Sequence, residues 1–360
     1  MAPLAATLAA SAAVGLGMAL AKGSLRPAGR RRLRRPLGLA ADEGLPEGLR
    51  RMAIEQADLA LAQLAGAEGG GARKAVHEAR KAIKRLRTIV RLLQGPLGAG
   101  ACAREQATLR AAAGHLAGAR DAEVMLDTLD ALIARRPRKL GGRPGVARLR
   151  RRLVADRDEA ERRMLAPRNR MRVADELRLF RARALAWELA PQPSIGAVEE
   201  GLSRVYRQGR RRKRRAGGSR GGRMRTMHQW RKRVKDLRYA AEALRRAEPA
   251  PGPLSRLPGK RRKRLSSEAR WLRRLARRAD ELGELLGEEH DLAVFGAWLA
   301  EHGRAAGAGR PTRRRLHRQI VRRRRELRRR ALRDGRRLYA RKPRAFLRRV
   351  ARAYDAGALS

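Results

Sequence analysis

The chain has 360 residues, and its 89 lysines and arginines against 35 aspartates and glutamates give a formal net charge of +54. So basic a protein attracts polyanions, whether nucleic acid, anionic lipid or a phosphate polymer. A hydrophobic content of 43 % excludes a wholly disordered chain. The single cysteine, Cys102, excludes an internal disulfide and a cysteine-based metal site. It fits a reducing compartment, so we expect a cytoplasmic protein.

The first 46 residues are predicted to be an N-terminal tail and linker. Residues 1–21 carry no charge, and residues 22–46 are basic and rich in glycine and proline. The apolar start would suit a signal peptide or a weak membrane anchor. Positive charge follows the apolar run, however, where it opposes translocation. A membrane is therefore not the expected partner, although residues 1–21 leave that alternative open.

The rest of the chain reads as all-α, because alanine, leucine and arginine dominate and all three favour helices. Apolar spacing, glycine and proline predict helices over 46–64, 76–93, 101–134, 146–190, 194–215, 223–246, 311–334 and 343–354. Pro167 is expected to break the fourth of these helices, and 135–145 is expected to be a loop.

Residues 76–93 carry the main functional signal. Their apolar residues recur in steps of three and four, from Val76 to Leu93, which is typical of a helix with one buried face. A second stripe is almost entirely cationic and consists of His77, Arg80, Lys81, Lys84, Arg87 and Arg91. Because like charges at i,i+4 destabilise a helix, this stripe predicts an anionic partner.

The stripe occurs twice. Residues 227–244 align with 76–93 without gaps, and the pattern H-x-x-R-K-x-x-K-x-L-R is identical in both copies. The second stripe consists of His228, Arg231, Lys232, Lys235 and Arg238. A weaker match pairs Arg120-Asp121 with His290-Asp291. We infer an internal duplication with halves at 47–190 and 191–357.

Three segments resemble the CHAD family, the conserved histidine α-helical domain: HQWRKRVKDLRY at 228–239, ELLGEEHDLAVF at 284–295 and RLYARKPRAF at 337–346. The resemblance implies two pseudo-symmetric four-helix bundles from the duplication, binding of inorganic polyphosphate and association with polyphosphate granules. It also implies that Arg336, Tyr339 and Lys342 belong to the binding groove. The E-x-E-x-K motif of the triphosphatase domain is absent, since Glu159 and Glu161 are followed by Arg163. The chain therefore resembles a stand-alone member.

The stripes suit anion binding, because arginine can bind a phosphate bidentately and lysine supplies a compact positive charge. His77 and His228 are expected to donate hydrogen bonds to phosphate near the helix N-termini, with Arg120 and His290 as further contacts. Asp121 and Asp291 are expected to hold nearby arginines. No carboxylate cluster suits Mg²⁺, so we expect no metal, no cofactor and no catalysis. The alternative to polyphosphate is nonspecific nucleic-acid binding, as in a nucleoid-associated protein.

Overall fold

The computed structural model describes residues 37–40, 43–66, 72–190, 194–218, 223–246 and 259–358. Those residues form helices and connecting segments without a strand, so the all-α prediction is confirmed. The helices are α1 (Leu45–Ala65), α2 (Ala72–Leu92), α3 (Gln94–His115), α4 (Ala117–Arg135), α5 (Pro137–Leu140), α6 (Pro144–Leu165), α7 (Pro167–Leu185), α8 (Glu199–Gly218), α9 (Arg223–Ala243), α10 (Gly259–His302), α11 (Arg310–Leu338) and α12 (Pro343–Ala358), with a 3₁₀ turn at Ile195–Val198. No described helix is long and apolar enough to cross a membrane.

The predicted segments at 101–134 and 135–145 need correction. The helix expected over 101–134 is two helices, α3 and α4, which meet at the buried Leu116. Gly114 and Gly118 flank this residue, and glycine lowers helix propensity on both sides of the break. The loop expected over 135–145 contains the short helix α5. The break at Pro167 lies where it was predicted, between α6 and α7.

The helices pack around two apolar cores of unequal size. The larger core is formed by α1, α2, α3, α7, α8, α9, the first part of α10, the end of α11 and α12. The smaller core is formed by α4, α5, α6, the second part of α10 and the first part of α11. Helix α10 has 44 residues, a length of about 66 Å, and so reaches both cores. Each core takes helices from both halves of the chain, and the division at 190/191 into duplicated bundles stays a prediction.

The segment before α1 corrects the predicted linker. Leu37 and Leu39 are buried, and the Leu39 N–H donates to the Arg245 carbonyl at 2.7 Å. The Arg246 guanidinium donates to the Ala40 carbonyl at 3.1 Å. These residues therefore belong to the larger core, although they lie inside the predicted 22–46 linker. Of the predicted tail and linker over 1–46, residues 1–36 and 41–42 lie outside the described residues.

Helix α8 approaches the C-terminal end of α2 at Gly201. A Cβ at this position would overlap the backbone carbonyl oxygens of Arg91 and Leu92, so only glycine permits the observed spacing. Helices α2 and α9 also pack directly against each other. Three basic helices therefore converge at the C-terminal half of α2.

Candidate polyanion-binding site

The two stripe helices are joined by a buried carboxylate. Asp236 of α9 is 8 % exposed, and it accepts a hydrogen bond from Arg91 of α2 at 3.1 Å. Arg233 forms an ion pair with the same carboxylate at 3.1 Å and donates to Gln208 of α8 at 2.9 Å. One aspartate thus holds two arginines and links α2, α8 and α9.

Positive charge is crowded around this junction, beyond what Asp236 offsets. Burial, together with nearby Arg91, Arg110 and Arg233, lowers the pKa of Arg87 to about 10. Burial and the positive charges of Arg87 and Arg233 also lower the pKa of Lys232. Lys232 is exposed and makes no ion pair or hydrogen bond with another described residue. An anion bound here would relieve the mutual repulsion of these cations.

The other side of the second stripe faces α10. Arg231 forms an ion pair with Asp291 at 3.5 Å, the role expected for this aspartate. Burial, followed by the positive charge of Arg231, lowers the pKa of the half-buried Lys235 even though Glu284 and Asp291 lie nearby. Lys235 therefore extends the crowded cationic surface toward α10.

Arg238 is held by acids within the fold. It donates to Glu242 of its own helix at 2.7 Å and to Asp280 of α10. Its charge is thus matched by two carboxylates. The structure gives Arg238 a role in fastening α9 to α10, which is distinct from the ligand contact predicted for it.

The residues of the first stripe have different surroundings along α2. Arg80 donates to the Leu116 carbonyl, where α3 ends, and Lys81 forms an ion pair with Glu78 at 3.5 Å. His77 and Lys84 are exposed. Arg87 and Arg91 of this stripe reach the junction with α9. The side chain of Arg120 lies outside the part of the chain that the structure describes, as does that of Asp121.

The imidazole rings of His228 and His290 lie against each other in a tilted arrangement. Their ring centroids are 4.1 Å apart with an angle of 36° between the planes. Burial lowers the pKa of both histidines to about 4, followed by His290 and nearby cations in the case of His228, and by nearby cations alone in the case of His290. The Nδ1 atom of each ring is buried and has no hydrogen-bond partner among the described residues. Near neutral pH both rings are therefore uncharged.

The expected assistance from helix N-termini is not available to the stripe histidines. His77 and His228 lie beyond the first turn of α2 and α9, which begin at Ala72 and Arg223. Only the first four N–H groups of a helix lack an internal partner. Any hydrogen bond to an anion must therefore come from the imidazoles and not from the helix backbone.

Of the three groove residues predicted near the C-terminus, one lies in the core and two lie on the surface. Tyr339 is 4 % exposed and packs against Tyr206 with ring centroids 5.4 Å apart, and burial raises the pKa of its phenol. A buried phenol cannot line a groove, so we correct the assignment of Tyr339 to the binding site. Arg336 is exposed beside Lys213 of α8. Lys342 lines a separate cleft of about 820 Å³ with Arg207 and Arg210.

Three residues of the junction were not predicted from the sequence as part of the site: Arg110, Arg233 and Asp236. A signal existed for Asp236, because it is the one acid inside the second motif and the first copy has Arg85 at the same position. Nothing in the sequence places Arg110 of α3 beside the stripe, since it lies outside both repeats.

The two glutamates of the E-E-H-D segment, Glu288 and Glu289, are paired with arginines of α11. Glu288 accepts from Arg323 at 2.6 Å, and Glu289 accepts from Arg328 at 2.8 Å. Within the described ranges no group of three or more histidine, cysteine, aspartate or glutamate side chains is arranged to hold a metal ion. These carboxylates instead fasten α10 to α11.

Comparison with known proteins gives the family. The crystal structure of the CHAD domain from the plant Ricinus communis matches with a TM-score of 0.55 and 19 % identity, covering 86 % of this chain and 96 % of that chain. PptA from Streptomyces chartreusis matches with a TM-score of 0.54 and 18 % identity, covering 83 % and 100 %. A search of the curated proteins found no match. The CHAD domain family model matches residues 55–267, more than half of the chain, and the chain therefore belongs to the CHAD family.

Proposed function

We propose that this protein binds inorganic polyphosphate at the junction of α2 and α9. The observation that carries the proposal is the crowding of Arg87, Lys232 and Lys235, whose pKa values are all lowered by burial and neighbouring positive charge. Such a cluster is costly in the free protein and gains stability when an anion binds. The CHAD family is linked to polyphosphate, which selects this polymer among the polyanions.

The chemistry required is simple charge pairing along a chain. Lys232 and Lys235 lie about one helical turn apart on α9, a spacing of about 5 Å along the axis. Arg87 of the crossing helix extends the row, so successive phosphates can meet successive cations. Polyphosphate offers no base edges, and the site needs no sequence readout. Binding without catalysis would recruit the protein to polyphosphate granules.

The deciding experiment is competition between long-chain polyphosphate and duplex DNA for the full-length protein over a series of salt concentrations. Every polyanion binds at low salt, so only binding that persists is informative. We expect polyphosphate to remain bound at about 0.15 M salt while DNA is released. If DNA displaces polyphosphate under these conditions, the chain is a nonspecific nucleic-acid-binding protein.

A pair of variants tests the site itself. Arg87→Gln combined with Lys232→Gln removes two cations of the junction, and should weaken polyphosphate binding by roughly tenfold or more. The slope of log K against log salt concentration should also become shallower by about 0.7 for each lost phosphate contact, as for a single-stranded polyanion. The control, Arg310→Gln with Arg314→Gln, removes two exposed charges at the start of α11. Equal losses in both variants would mean that only total charge matters.

A further inference from the structure

A second basic surface lies away from the α2–α9 junction. A cleft of about 760 Å³ separates α11 from the end of α8 and the start of α9. Its floor is apolar and is made of Ala216, Gly217, Met227, Val321 and Leu332. Met227 is 2 % exposed, so this floor is the edge of the larger core. The cleft is therefore both concave and apolar at its base.

The rim of the cleft carries His317 and a row of four arginines on α11: Arg318, Arg322, Arg325 and Arg329. They recur at i, i+4, i+7 and i+11, which places them on one face over about 16 Å. All four are exposed, and none has an ion pair or hydrogen bond with another described residue. No carboxylate is among the described residues that line the cleft.

Other arginines of α11 pair with carboxylates of α10, unlike the four arginines of this row. Arg323 donates to Glu288 at 2.6 Å, and Arg324 forms an ion pair with Glu289 at 3.0 Å. Arg328 lines the cleft, but it also donates to Glu289 at 2.8 Å. One face of α11 thus has its charges matched by α10. The face toward the cleft presents unmatched guanidinium groups above an apolar floor.

We propose that this cleft binds a nucleotide, with the phosphates on the arginine row and the base on the apolar floor. Guanidinium groups bind phosphate bidentately and stack on nucleobases. The volume lies within the usual range for sites of small ligands, about 300–1,000 Å³. An inorganic polyphosphate chain would leave the floor uncovered, and a lipid acyl chain needs a longer apolar path than five residues provide. The proposal is independent of polyphosphate binding at the α2–α9 junction.

The test compares ATP with tripolyphosphate, which carries similar charge without a base. Isothermal titration of the full-length protein at about 0.15 M salt should show ATP binding roughly fivefold tighter or more, because the base covers the apolar floor. Arg322→Ser with Arg325→Ser should weaken ATP binding by roughly tenfold or more. The control variant Arg310→Ser with Arg314→Ser, also exposed on α11, should change it less than about twofold.

Photo-crosslinking locates the base directly. Irradiation of the full-length protein with 8-azido-ATP, followed by peptide mass spectrometry, should label the segment around Met227 or Leu332. Equal affinity for ATP and tripolyphosphate, equal loss in the two variant pairs, or labelling elsewhere would each overturn the proposal. Binding to vesicles of phosphatidic acid with no binding of ATP would overturn it in favour of a lipid headgroup. Circular dichroism should show both variants folded, since the four substituted arginines are exposed.

Discussion

Replacing Asp236 by asparagine tests two effects of its negative charge at the proposed polyphosphate site. The charge stabilises the folded protein, and it opposes the binding of an anion. The substitution keeps the shape of the side chain and removes the acid that holds Arg91 and Arg233 at 3.1 Å each. The free protein should become less stable, because two arginines lose their shared counter-charge. Polyphosphate should bind the variant more tightly, because one negative charge has left the site and both guanidinium groups can meet phosphate.

The size of the stability loss in Asp236→Asn follows from the burial of the ion pair. Removing one partner of a buried ion pair costs about 3–5 kcal/mol. The two arginine side chains are 19 % and 18 % exposed, so water offsets part of this cost and we expect about 2–3 kcal/mol. For a folded unit of about 320 residues, an unfolding entropy of about 2.1 cal/mol/K per residue converts this into a fall in Tm of about 3–4 °C.

Calorimetry with and without saturating polyphosphate measures both effects. Tenfold tighter binding would raise the stabilisation by ligand by about 1.4 kcal/mol, or about 2 °C. The control is Asp130→Asn, which loses one negative charge from an exposed ion pair with Arg150 and should shift Tm by about 1 °C or less. Equal shifts in the two variants, or weaker stabilisation of Asp236→Asn by polyphosphate, would refute the reasoning.

Further predictions concern pH, a second buried acid and a close helix contact. The pKa of His228 and of His290 is about 4 in the folded chain against about 6.5 when unfolded. Unfolded chains therefore take up protons first as pH falls, and Tm should decrease between about pH 6.5 and pH 4, with a smaller decrease in His290→Gln. Glu289→Gln should cost about 3–5 kcal/mol in urea unfolding, because its buried carboxylate pairs with two arginines of α11. Gly201→Ala should cost about 1–3 kcal/mol by the same assay through overlap with α2, whereas Gly114→Ala, with open space around the added methyl, should be neutral or stabilising. An unchanged pH profile in His290→Gln, or equal effects of the two alanine substitutions, would contradict these expectations.

Helix α2 shows what local pattern can predict. Val76, Ile83, Leu86 and Val90 are all buried, as their spacing of three and four residues requires. That prediction depends only on the geometry of a helix and not on what packs against it. The position of the cationic stripe beside the buried face follows for the same reason.

Contacts between distant segments could not be predicted in this way. Arg91 and Asp236 are 145 residues apart, and their meeting depends on how α2 crosses α9. The burial of Tyr339 likewise depends on the position of Tyr206, because a tyrosine suits either a core or a surface. Residue type and spacing indicated which cations share a helix face, but only tertiary packing decides which of them meet a carboxylate.

Which cations pair with carboxylates, more than net charge, locates the proposed polyphosphate site in a chain of formal charge +54. Arg231 and Arg238 face carboxylates of α10, and Arg91 faces Asp236, so these guanidinium groups already fasten helices together. Arg87 has the neutral Gln106 as its hydrogen-bond partner, and Lys232 makes no ion pair with any described residue. An incoming polyanion gains most where positive charge is crowded and unmatched, because there it replaces no internal carboxylate. The paired arginines thus form the framework, and Arg87 and Lys232 are the residues at which we expect the polyphosphate chain to bind most tightly.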